Sequence, residues 1–182
     1  LPMLAYLGAY SRGSTYADTL VGSTGADTLI GDLGDDVLIG GAGADTIQGG
    51  IGVDTADYSG SGSAVTVNLA TGTGSAGDAA GDTLSSIETV IGSAFADTLT
   101  GSSNGDTLSG GAGNDVIDGG LGNDTLLGGA NDDTLVGGTG SDILDGGSGI
   151  DTADYTASTA AVTVYANGID TGAGGSATGD IL

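Results

Sequence analysis

Twelve aspartates stand in strict nine-residue phase: Asp18, Asp27, Asp36, Asp45 and Asp54 in a first run, then Asp97, Asp106, Asp115, Asp124, Asp133, Asp142 and Asp151 in a second. Glycine surrounds nearly all of them, as in GGAGNDVIDGGLGNDTLLGG over residues 110–129. A carboxylate supplies hard oxygen, and glycine lets the backbone turn its carbonyls into a tight concavity. Two such turns stacked 18 residues apart would enclose two carboxylates and several carbonyls, an all-oxygen shell of about six ligands that suits Ca2+ better than zinc or copper. Mg2+ fits less well, because it demands a smaller octahedron and keeps its waters.

Other chemistries lack their parts. The chain has no His, Cys or Lys, so there is no triad base, thiol nucleophile, disulfide or zinc thiolate. Paired carboxylates can hydrolyse glycosides, yet here their regular spacing speaks for ligation, and a carboxylate held on a metal is a poor proton carrier. No catalytic residues and no organic cofactor are expected within these 182 residues. A net charge of -23 against the single basic residue Arg12 leaves the carboxylates without ion-pair partners. Cations are therefore the natural partners. Nucleic acid is excluded for want of a basic surface, and no apolar run approaches the roughly 20 residues that span a membrane.

The elements that must position these carboxylates are visible in the same phrase. Two residues after most phased aspartates stands a large aliphatic: Leu20, Leu29, Leu38 and Ile47, then Leu99, Leu108, Ile117, Leu126, Leu135 and Leu144. A period of nine matches neither a helix nor a simple strand and marks a repeat architecture. DTLVG or DVLIG is long enough for a short strand with its aliphatic inward, and the glycine-rich half supplies the turn. Strand, turn, strand, turn closes a coil of about 18 residues, with like strands stacked roughly 4.8 Å apart.

A longer period lies above the first. Residues 54–91 and 151–182 share DTADY, an alternating strand (Val65, Val67 and Leu69 against Val162 and Val164) and a loop rich in Gly, Ser and Ala. The expected organisation is a fragment of a preceding region at 1–12, a first block of five nonapeptides at 13–54, and a β-rich spacer at 55–91 that continues the stack. A second block of seven follows at 92–151, then a second, truncated spacer at 152–182. Residues 72–81 are the best candidate for an excursion loop. The opening LPMLAYLGAYSR has its only charge at the wrong end for a signal peptide.

The phrase GGxGxDxUx, with U a large aliphatic, resembles the RTX nonapeptide repeats of secreted bacterial proteins. GGAGADTIQ at 40–48, GGAGNDVID at 110–118, GGLGNDTLL at 119–127 and GGTGSDILD at 137–145 carry the resemblance best. It implies an all-β fold, a parallel β-roll stapled by calcium, with two stacked blocks joined by the spacer. It places the metal-binding carboxylates on the twelve phased aspartates. Carbonyl ligands are expected from Gly40, Ala42, Gly43, Gly110, Ala112, Gly113, Gly119, Leu121, Gly122, Gly137, Thr139 and Gly140. Pairing each aspartate with the one 18 residues on predicts about eight ions. Tyr16 and Phe95 replace the fourth-position glycine in the first repeat of each block, where we expect them as apolar caps over a stack end; metal at those first turns is doubtful. Asn104 and Asn131, at the same position elsewhere, can take a left-handed turn without glycine.

The resemblance further implies a chain that is disordered at low cytosolic calcium, leaves the cell through a one-step secretion channel and folds outside. The longer period favours a structural module of a secreted or cell-surface protein, of surface-layer, adhesin or matrix type. The alternative is a C-terminal folding and secretion module of an extracellular protease, lipase or polysaccharide-modifying enzyme whose catalytic domain lies elsewhere. Self-association through exposed strands at the ends of the roll is expected on either reading.

Overall fold

The computed structural model describes residues 8–157. Within them the chain winds as a parallel β-solenoid, each coil laying one strand in each of two sheets. The first sheet runs β1 (Tyr10–Arg12), β3 (Thr28–Leu33), β5 (Thr46–Ile51), β9 (Thr83–Ser85), β8 (Thr73–Gly74), β7 (Thr66–Asn68), β11 (Thr98–Thr100), β13 (Val116–Asp118), β15 (Thr134–Val136) and β17 (Thr152–Ala153). The second runs β2 (Thr19–Val21), β4 (Val37–Ile39), β6 (Thr55–Asp57), β10 (Thr89–Ile91), β12 (Thr107–Ala112), β14 (Thr125–Ala130) and β16 (Ile143–Ser148).

Within the blocks every parallel pair is in register at 18 residues, as in Leu29 beside Ile47 and Leu108 beside Leu126. That register is two nonapeptides, so each aliphatic stacks on its own kind. The core is two facing columns. One holds Leu38, Ala56, Val90, Leu108, Leu126 and Leu144, the other Leu29, Ile47, Leu84, Val67, Leu99, Ile117 and Leu135, and all of these are buried. With a core one side chain wide, burial comes from stacking neighbours rather than from a globular interior.

The spacer keeps the stack but changes its count. β6 and β10 pair directly, Thr55 beside Thr89, so the second sheet passes through without interruption. Between β5 and β11 the first sheet instead takes in three strands, with β8 antiparallel to both β7 and β9. Residues 72–81 thus contain β8 and a short 3-10 turn, Gly77–Ala79. The buried Tyr58 hydroxyl pins this insert by donating to Asp82 Oδ2 at 2.9 Å. The strand expected around Val162 and Val164 lies outside the described residues.

Candidate metal centre

Backbone hydrogen bonds join the phased aspartates into two ladders, one along each edge of the solenoid. Each donates its own N–H to Oδ1 of the aspartate one coil on: Asp18 to Asp36 at 2.8 Å, Asp36 to Asp54 at 2.9 Å, Asp27 to Asp45 at 2.8 Å. In the second block Asp97 donates to Asp115 at 2.7 Å, Asp106 to Asp124 at 2.9 Å and Asp115 to Asp133 at 2.8 Å. Asp124 likewise donates to Asp142 at 2.9 Å and Asp133 to Asp151 at 3.0 Å. Pairing at 18 residues therefore brings the predicted side chains together two by two. All but Asp18 and Asp151 are buried.

Two carboxylates missing from the predicted set extend the first-block ladders by one step into the spacer. Asp45 donates its N–H to Asp82 Oδ1 at 2.7 Å, and Asp54 donates to Glu88 Oε2 at 3.0 Å. The signal was present in GDTL at 81–84 and ETV at 88–90, which repeat the carboxylate and the inward aliphatic out of phase. A second, outer ladder was also unforeseen. It uses the residue just before the phased aspartate: Asp35 accepts from Val53 N–H at 2.8 Å, Asn123 from Ser141 at 2.9 Å and Asp132 from Ile150 at 2.8 Å.

The second carboxylate oxygen divides the turns into two kinds. Oδ2 of Asp36, Asp45, Asp54, Asp115, Asp124 and Asp133 is buried without a hydrogen-bond partner. In each of their turns the second residue has left-handed φ: Asp32, Gly41, Gly50, Gly111, Gly120 and Gly129. Its N–H is not offered to the carboxylate. In the turns at 13–18, 22–27, 92–97 and 101–106 that residue is Ser, outside the left-handed region, and its N–H does cap the carboxylate. Ser14, Ser23, Ser93 and Ser102 each donate to Oδ2 of the aspartate four places on, at 2.5 Å. The Ser14, Ser23 and Ser93 hydroxyls add a further bond. Gly-Ser turns open both blocks.

Tyr16 and Phe95 fall in two of these turns and correct an expectation. They do not cap the stack; their side chains are 77% and 46% exposed. The opening turns are closed from within by serine, which leaves the aromatics on the outer face. Asn131 adopts the left-handed turn at φ 83, whereas Asn104 does not.

The glycines are required by close approach. A methyl built on Gly119 would sit 2.5 Å from Asp124 Oδ2 and 2.7 Å from the carbonyl of Gly137 on the next coil. The expected ligand carbonyls of Gly40, Gly110, Gly119 and Gly137 each face the first glycine of the turn one coil back in this way or, for Gly40 over Gly22 and Gly119 over Gly101, more closely still. The Gly43, Gly113, Gly122 and Gly140 backbones pass over the carbonyls of Gly25, Phe95, Asn104 and Gly122. Among the third-position residues, the Thr139 carbonyl already accepts the Gly122 N–H at 3.0 Å, and the Ala42, Ala112 and Leu121 backbones lie in the equivalent turns.

Electrostatics separate Asp27 from the carboxylates of the glycine turns. Burial foremost, then repulsion from stacked carboxylates, pushes Asp115 and Asp124 up to about 6. Burial raises Asp45, Asp54 and Asp133 as well. At Asp27 burial acts in the same sense, but the N–H groups of Ser23 and Ala9 and the Ser23 hydroxyl outweigh it and hold the carboxyl low. At Asp106, inside a Gly-Ser turn, burial still prevails.

The model of the RTX calcium-binding nonapeptide repeat matches residues 12–47, 30–60, 82–117, 91–126 and 118–153, more than half of the chain. The chain belongs to the RTX calcium-binding repeat family. No curated protein matches it. The RTX assignment agrees with the site on a physical test: buried carboxylate oxygens without donors, facing carbonyls across a cradle that a single methyl would fill, suit an oxygen-seeking cation. Among the described residues no three acidic side chains converge on one point, so an ion between RTX turns would draw most of its ligands from the backbone. The one basic side chain is engaged elsewhere, with Arg12 bidentate on Asp32 at 2.5 and 2.8 Å.

Proposed function

We propose that this chain is a calcium-gated structural module of a protein that works outside the cell, with the phased aspartates as its ligands. The observation that carries the reading is the row of buried, donor-free Oδ2 atoms at Asp36, Asp115, Asp124 and Asp133, each facing a stacked glycine turn. Unpaired carboxylates in a dry setting cost several kcal/mol each, so the roll needs a counter-ion to be stable. Sites with so few formal charges belong in the range of about 10⁻⁴–10⁻³ M found for extracellular modules. Such a chain stays open in the cytosol and closes after export.

Four of the eight aspartate pairs begin on a Gly-Ser turn whose carboxylate is already hydrogen-bonded: Asp18/Asp36, Asp27/Asp45, Asp97/Asp115 and Asp106/Asp124. Regular ions then occupy the remaining gaps, Asp36/Asp54, Asp115/Asp133, Asp124/Asp142 and Asp133/Asp151. The expected behaviour is a cooperative coil-to-β transition in far-UV circular dichroism as calcium rises from chelated to about 10 mM, above the affinity range of extracellular modules, with magnesium far less effective. A spectrum already rich in β structure in chelator would overturn the reading.

A further inference from the structure

We propose a cation site outside the regular 18-residue pairs, at the seam where the first block passes into the spacer, formed by the phased Asp54 together with the carbonyl of Ser86 and the unphased Glu88. It rests on the reading of the regular gaps as calcium sites. Three residues, Ser86 to Glu88, here do the work of a six-residue turn, and Ser86 takes the left-handed conformation at φ 52. Asp54 donates its N–H to Glu88 Oε2 at 3.0 Å, the link that every regular aspartate makes to the next. Asp54 is fully buried, and its Oδ2 has no partner.

That oxygen points at the seam. A methyl built on Gly49 would meet Asp54 Oδ2 at 2.5 Å and, closer still, the carbonyl of Ser86. The same two kinds of atom converge over Gly119 in the middle of the second block. The extra methylene of glutamate lets a carboxylate reach the ladder from a turn three residues short. The donor-free Asp54 Oδ2, the Ser86 carbonyl beside it and the Glu88 carboxylate held next to them by the Asp54 N–H define a site for a hard divalent cation, with calcium as the occupant. The other crossing is built differently, since the nearest atoms over Gly40 all belong to the side chain of Asp45 and no carbonyl comes as close as that of Ser86 does over Gly49.

Calcium counting on this chain by native mass spectrometry tests the proposal, with wild type beside Glu88→Gln, which keeps an acceptor for the Asp54 N–H. The expected result is one ion fewer in Glu88→Gln, with the circular dichroism of the calcium form unchanged. An equal count in folded Glu88→Gln overturns the seam site and leaves the regular sites standing. A wild-type chain that binds no calcium defeats the underlying reading instead. Should Glu88→Gln not fold, a crystal structure of the unaltered chain with calcium decides: anomalous peaks over the regular turns but none between Asp54 and Ser86 overturn the site.

Discussion

Whether a carboxylate in these ladders is open to a cation depends on the residue four places before it. A serine there offers an N–H and a hydroxyl, and Oδ2 of the carboxylate is satisfied within its own turn, although Asp106 keeps a buried Oδ1 without a partner. A left-handed glycine offers neither. Ser93→Gly should therefore free Asp97 and add one calcium to the stoichiometry measured by calorimetry. Ser93→Ala, which keeps the backbone donor, should leave the count unchanged. An unchanged count in both variants would separate calcium binding from turn type. The twelve phased aspartates were legible in the sequence because a nine-residue period is hard to produce by anything but stacking. The distinction between Gly-Gly and Gly-Ser was written there too, but its meaning required the direction of an N–H.

At the scale of the strand, periodicity again explains what could be read and what could not. Every inward aliphatic of the second block, from Leu99 to Leu144, is buried in the column its phase assigns. Leu126 is fully buried between Leu108 and Leu144, so Leu126→Ala should cost about 2–5 kcal/mol of stability. Chemical denaturation under saturating calcium measures this, and a loss below about 1 kcal/mol would mean that the column relaxes around the gap. Asp82 and Glu88 escaped because they return to the ladder after steps of 37 and 34 residues, neither a multiple of nine. Tyr16 and Phe95 misled for the opposite reason. An aromatic at a glycine position suggests a lid only if the turn keeps the glycine conformation, and those turns do not.

For the whole molecule the dominant quantity is charge, -23 on 182 residues. Asp115 and Asp124 titrate at about 6 in the folded chain against an ordinary 3.8, so the folded state binds more protons than the unfolded one between those limits. Stability of the calcium-free roll then falls as pH rises through about 6 and is regained as pH falls below it. In chelator, β-structure by circular dichroism should accordingly increase between pH 7 and pH 5, while the calcium midpoint moves to higher concentration because protons and calcium compete for the same oxygens. A pH-independent midpoint would remove the buried carboxylates from the binding step. The spacer acts at this scale as well. Its three strands in the first sheet face a direct β6–β10 pairing in the second, and each added strand lengthens its sheet by about 4.8 Å. One face of the solenoid thereby carries about 10 Å more sheet than the other over a single coil, which favours a turn of the axis toward the shorter face. A protein that repeated this module would be expected to trace a jointed path, with segments whose lengths are set by nonapeptide number and whose corners are set by the inserted strands β7 to β9.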